Sequence, residues 1–161
     1  PHTDRSCVPE PPHLLIQVCA RKSACGGAST VVDGKQLMLA LRRDFPDLLA
    51  EMSAAGAARF DDGENRYNGP LFERLPDGSL ALRLRNDRLV YFCGPLAQRI
   101  PQLIKVINEL TNRFMLESGC AYIANNRRWL HGRDSFEGDR EMWRILVNWD
   151  CPRRLGFTPQ A

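Results

Sequence analysis

The chain has 161 residues, 43% hydrophobic and 25% charged, with a net charge of +3. That is the make-up of one ordinary globular domain, long enough for a hydrophobic core without disulfides or zinc. The small, dispersed positive charge argues against a nucleic-acid partner, and no apolar run approaches the roughly 18 residues of a membrane span.

In chain order, Pro9, Pro11 and Pro12 break regular structure, and Leu14 to Ala20 reads as a buried strand. Gly26 and Gly27 turn into a second short strand ending at Val32. Asp33 is a plausible N-cap for a helix from Lys35, whose apolar positions run from Leu37 to Met52 with a break at Pro46. Residues 60–79 are polar and turn-rich, with a hairpin turn at Pro76 to Ser79. Leu80, Leu82 and Leu84 then alternate with Ala81, Arg83 and Arg85 as a half-buried strand. Helical spacing of Leu103, Ile104, Ile107, Leu110 and Phe114 predicts a helix from Pro101 to Phe114. Gly119 punctuates, Cys120 to Ala124 reads as a strand with His131 beyond its end, and a last strand runs from Glu141 to Trp149. No repeat or interdomain linker interrupts a single domain. The six cysteines show no Cys-x-x-Cys pair. They read as free thiols, with Cys19, Cys93 and Cys120 acting as small hydrophobes inside strands.

Two histidines and one aspartate suffice for a facial metal site with three open positions. His2 and Asp4 stand one residue apart, the spacing at which a strand points two side chains the same way. His131 would have to join them from a distant strand. A lone His-x-Asp arises by chance, and a lone histidine at a strand end is more often structural. Arg140 and Arg144, four apart on the last strand, project to one face. An arginine inside a barrel is costly unless it meets an anion, and its planar fork suits a carboxylate.

The run from His131 to Asp150 resembles the C-terminal signature of the taurine dioxygenase-like superfamily, which includes gamma-butyrobetaine hydroxylase and clavaminate-synthase-like enzymes. His2-Thr3-Asp4, Gly26 to Ser29 and Asn125 to Arg128 fall in the same order as in that family. The resemblance implies a mainly β fold with flanking helices, a double-stranded β-helix (jelly roll). It also implies an Fe(II)- and 2-oxoglutarate-dependent dioxygenase that consumes O2, releases succinate and CO2, and hydroxylates an unactivated C–H bond of a small molecule, such as an amino acid or carboxylated metabolite. Some relatives desaturate or cyclise instead, and halogenases are disfavoured because a carboxylate stands at Asp4.

On this resemblance His2, Asp4 and His131 are the iron ligands. Arg140 opens the final strand and takes the far carboxylate of 2-oxoglutarate, aided by Ser29, although Thr30 is adjacent and Thr is the commoner residue there. Arg144 is a second anion contact or a substrate contact, and Arg5 and Trp129 are further substrate candidates. Arg133 is expected to pair with Asp134 or Glu137, and residues 60–79 to act as a lid. One departure from the family pattern is that only Pro1 precedes the His-x-Asp motif, so the expectation is the C-terminal part of a longer chain, lacking the N-terminal strands of the β-helix. Cytoplasmic location is the default assignment. A zinc hydrolase using the same three ligands and a non-catalytic metal-binding β-helix module are the alternatives, and oligomeric state is left open.

Overall fold

A computed structural model describes residues 1–148 and 156–159. The elements are β1 (Leu14–Arg21), β2 (Cys25–Gly26), β3 (Ser29–Asp33), α1 (Gly34–Asp44), α2 (Pro46–Ser53), β4 (Ala58–Asp61), β5 (Arg66–Gly69) and β6 (Phe72–Arg74). There follow β7 (Leu80–Leu82), β8 (Val90–Phe92), α3 (Leu96–Glu109), β9 (Asn112–Phe114), β10 (Ala121–Asn125), β11 (Trp129–Arg133), β12 (Phe136–Glu137) and β13 (Glu141–Val147). Two antiparallel sheets, ordered β10-β1-β13 and β11-β3-β9, frame a double-stranded β-helix alongside the short pair β12-β2. A third sheet, β5-β4-β8, and the hairpin β6-β7 follow, and the described residues are mainly β with three short helices.

Local chemistry explains the well-predicted elements. Asp33 caps α1, its carboxylate accepting from the Lys35 amide at 2.9 Å. Leu37, Met38 and Leu41 bury one face of that helix. Pro46 opens α2 at the first helical position, where its missing N–H costs nothing. The turn at Pro76 to Ser79 joins β6 to β7, with the Ser79 amide donating to Asp77 Oδ1 at 2.9 Å.

Elsewhere tertiary contacts overrode local pattern. The third helix starts at Leu96, five residues before the expected Pro101, because Leu96 is itself buried in the core. It ends at Glu109, and Phe114 leaves the expected helical face to pair with Ser29 in β9 and pack edge-on against Tyr122. Residues 60–79 are not an open connection. Phe60 of β4, Phe72 of β6 and Leu71 just before β6 are buried in the core, and none of this stretch lines the cavity described below, so the expected lid is instead part of the core wall. The alternation at Leu80 to Arg85 also fails: Arg83 is 1% exposed and as deeply buried as its leucine neighbours. Its guanidinium stacks 3.5 Å from the Tyr67 ring centroid and donates to the carbonyls of Ser6, Val8 and Pro9. The arginine is tolerated because those carbonyls and the ring face replace water.

Cys7 and Cys19 are buried free thiols, whereas Cys25, Cys93 and Cys120 are exposed, which corrects the buried reading of Cys93 and Cys120. The last strand begins at Glu141 as expected, and its expected end at Trp149, with Asp150 and Cys151, lies outside the described residues. Among the described residues no helix is long and apolar enough to cross a membrane.

Candidate metal centre

His131 lies in the middle of β11, a strand of its own rather than the tail of β10, and pairs with Val31 of β3. The turn between β10 and β11 is pinned by side chains. Arg128 grips Asp33 with two bonds of 2.8 and 2.6 Å, Arg127 donates to Glu73 at 2.7 Å, and Asn125 Oδ1 accepts from the Arg127 amide at 2.8 Å. Trp129 packs beside Arg128 and stands outside the cavity lining.

His2 reaches the site by a different route from the strand that its spacing predicts. It makes an isolated antiparallel bridge to His131, each amide donating to the other's carbonyl at 2.8 and 2.9 Å. The backbone then turns. Thr3 is tied to Leu84, Asp4 falls within the turn, and Arg5 takes a left-handed conformation at φ 54°. Arg5 is exposed and, like Trp129, does not line the cavity. A turn brings the two side chains together where an extended strand would hold them in a line.

The donor atoms of His2, Asp4 and His131 all lie within 4.8 Å of one another. Asp4 Oδ1 is 3.4 Å from His2 Nε2, and Asp4 Oδ2 is 3.3 Å from His131 Nε2. Metal bonds of about 2.1 Å at right angles separate two donors by about 3 Å, so this spacing suits three ligands on one face of an ion. Asp4 Oδ2 and both ring nitrogens of His131 are buried without a hydrogen-bond partner. Such groups each cost about 1–3 kcal/mol, and a cation would satisfy Asp4 Oδ2 and one ring nitrogen together. Protonation states agree. Burial opposes ionisation of Asp4, but the His131 and His2 imidazoles and the Arg144 guanidinium outweigh it and hold the carboxyl well below its usual range. Burial, with help from His2 and Arg144, lowers His131 despite Asp4, keeping the imidazole neutral as a ligand must be. The residues present therefore fit a divalent iron.

The site opens on a cavity of about 730 Å³, within the roughly 300–1,000 Å³ of small-molecule pockets. His2, His131, Ser29, Arg133, Arg140 and Arg144 are among its lining residues. Arg144 Nη1 donates to Asp4 Oδ1 at 2.8 Å. Arg140 precedes β13 and rests 5.6 Å from the Phe136 ring centroid, with no carboxylate partner among the described residues. Gly27, at φ 77°, permits this approach: a Cβ there would stand 3.1 Å from Phe136 Cβ and 3.4 Å from Arg140 Nε. Of the two hydroxyls considered, Ser29 lines the cavity and Thr30 does not. Arg133 stacks 4.6 Å from the Phe136 centroid, and the expected partner Asp134 pairs with Arg113 instead, at 3.3 Å.

Sequence reading missed three groups. Gln17 and Tyr122 form one row with Arg144 across β10-β1-β13 and line the cavity. Gln17 carried a signal, being the one polar residue within the apolar run Leu14 to Ala20. Asn126, buried at 1% exposure, gave none beyond its motif.

Among curated proteins, the gamma-butyrobetaine dioxygenase of Pseudomonas sp. (strain AK-1) is 31% identical over 92% of this chain and 43% of its own length. The human gamma-butyrobetaine dioxygenase is 22% identical over 92% of this chain and 44% of its own. The chain thus spans under half the length of these relatives. Among solved structures, an asparagine oxygenase with Fe(II), 3-hydroxyasparagine and succinate superposes at a TM-score of 0.76, with 17% identity over 91% of this chain and 49% of that one. The non-heme iron oxygenase OrfP with Fe and alpha-ketoglutaric acid gives 0.69, with 20% identity over 91% and 48%. The model of the taurine catabolism dioxygenase TauD, TfdA family matches residues 1–146, and the chain belongs to that family.

Proposed function

We propose that this chain is the catalytic part of a non-haem Fe(II)- and 2-oxoglutarate-dependent dioxygenase that hydroxylates an unactivated C–H bond of a small molecule, and that it corresponds to the C-terminal part of a longer polypeptide. The observation that carries the reading is the convergence of His2, Asp4 and His131, with buried unpartnered donor atoms, at the wall of a cavity that Arg133, Arg140 and Arg144 also line. Iron, when bound with 2-oxoglutarate, would supply oxidative decarboxylation to succinate and CO2 coupled to C–H oxidation by O2.

The chain's own residues divide the remaining work. His2, Asp4 and His131 would hold the metal on one face and leave the other face for cosubstrate and O2. Arg144 holds Asp4 Oδ1, which leaves Oδ2 turned toward His131. Arg140, with no carboxylate partner among the described residues, would bind the far carboxylate of 2-oxoglutarate with its planar fork, and Ser29 would add a hydroxyl donor. Gln17, Tyr122 and Met142 line the same cavity and offer surface for a small substrate. The names and bound molecules of the relatives include gamma-butyrobetaine, hydroxyasparagine and hydroxyarginine, all small molecules bearing a carboxylate, and an anionic group on the substrate would be compatible with Arg144. A zinc hydrolase would leave Arg140 at the cavity wall without an obvious role.

The test is to mix protein, Fe(II) and 2-oxoglutarate without air, look for the visible metal-to-ligand charge-transfer band of the chelate, then admit O2 and assay succinate. Both signals are expected. Their absence from polypeptide that includes any upstream segment would refute the proposal.

A further inference from the structure

Asp4 is held at its backbone by a single buried side chain. Asn126 Oδ1 accepts from the Asp4 amide at 2.7 Å, and its Nδ2 donates to the Asp4 carbonyl at 3.1 Å and to the Pro12 carbonyl at 2.9 Å. Three bonds use both donors and the acceptor of the amide, and a flipped amide would set N–H against N–H, so only one orientation fits. Asn126 stands in the turn between β10 and β11, five positions before His131. The turn and the strand after it therefore supply one candidate ligand directly and grip the backbone of another.

That grip is needed because Asp4 does not sit in a locally preferred structure. No strand ladder holds it, and the next residue, Arg5, is left-handed at φ 54°, which costs a non-glycine residue about 1–2 kcal/mol. The flanks are secured elsewhere: Thr3 to Leu84 on one side, and Ser6, Val8 and Pro9 to Arg83 on the other. Asn126 acts on Asp4 itself.

We infer that Asn126 is a positioning residue that sets the separation of the Asp4 carboxylate and the His131 imidazole, and thereby the affinity and geometry of the metal site. The inference rests on the metal-binding reading above.

The experiment titrates Co(II), as an air-stable probe, into the parental protein, Asn126→Ser, Asn126→Asp and Glu73→Gln, with d–d spectra and urea midpoints recorded for each. Glu73→Gln breaks the Arg127 ion pair of the same turn without touching Asp4. Asn126→Ser should weaken Co(II) binding about 10- to 100-fold and alter the d–d spectrum, and Asn126→Asp should do so at least as strongly because its carboxylate faces two carbonyls. Glu73→Gln should keep the parental affinity and spectrum whatever its urea midpoint. Asn126 variants that lose stability yet bind Co(II) with parental affinity and spectrum would overturn the inference. Should neither variant fold, the parental protein still decides. Zn(II) should shift the NMR resonances of both the Asp4 amide and the Asn126 side-chain amide, and an unmoved Asn126 signal beside a moved His131 overturns it. A parental protein that binds no Co(II) refutes the metal reading instead.

Discussion

The two faces of the β10-β1-β13 sheet differ by one polar row. Toward the cavity, Tyr122, Gln17 and Arg144 align across the three strands. On the other face the rows are Ile123, Ile16 and Ile145, then Ala121, Val18 and Trp143; Ile123 is 66% exposed, Trp143 59% and Ile145 49%. The inward face thus carries one polar row beside the buried apolar Leu15 and Cys19, whereas these outer rows are wholly apolar, unlike a one-sided sheet over a dry core. The inward row is polar because it borders a cavity suited to charged ligands, where a guanidinium has anions to meet. Alternation in a strand separates the faces but does not say which one is inside.

The largest expected effect lies where the inward face meets the metal site. His131→Ala or Asp4→Ala should cost more than about a hundredfold in Co(II) affinity by calorimetric titration, beyond what outer residues contribute. Parental affinity in both would break the contrast at its functional end. Next, Leu15→Ala, on the inward side of β1 and fully buried, should lower unfolding free energy by about 2–5 kcal/mol in urea. Arg140→Ala should then weaken 2-oxoglutarate binding about 10- to 100-fold, the worth of about 1.5–3 kcal/mol for bonds to a charged group, read from the anaerobic chelate band. If Arg144→Ala does greater damage to that binding, the two arginines exchange roles.

A smaller effect concerns pH. His131 is held below its ordinary value by burial, so the unfolded chain binds the extra proton more readily. Stability of the metal-free protein should therefore fall as pH drops below about 6.5 and recover above it. His131→Ala should flatten that dependence in urea titrations across the window. The smallest changes belong to the outer face, where Ile123→Thr and Trp143→Ser should shift stability by no more than about 0.5 kcal/mol. A loss near that of Leu15→Ala would mean that the outer face is packed in solution, and the contrast would disappear.

Much of the frame was legible residue by residue. The apolar run in β1, the Asp33 cap, the Pro46 restart and the turn at Pro76 to Ser79 each rest on local chemistry and stand as expected. The end of α3 was not legible, because Phe114 satisfies helical spacing and strand pairing alike and only β3 decides between them. Arg83 was misread because alternation presumes a wet side for charge, and here Tyr67 and three carbonyls supply the substitute.

By itself the sequence determined the donor chemistry: two imidazoles, a carboxylate and a pair of arginines are covalent properties of the chain, and their order carries the family. The tertiary structure alone decided how they meet. His2 arrives by a bridge, Asp4 by a turn held from Asn126, and His131 on a strand 127 positions beyond Asp4. Convergence over that separation depends on which strands pair and which buried amide finds its partners, and no local pattern encodes those contacts.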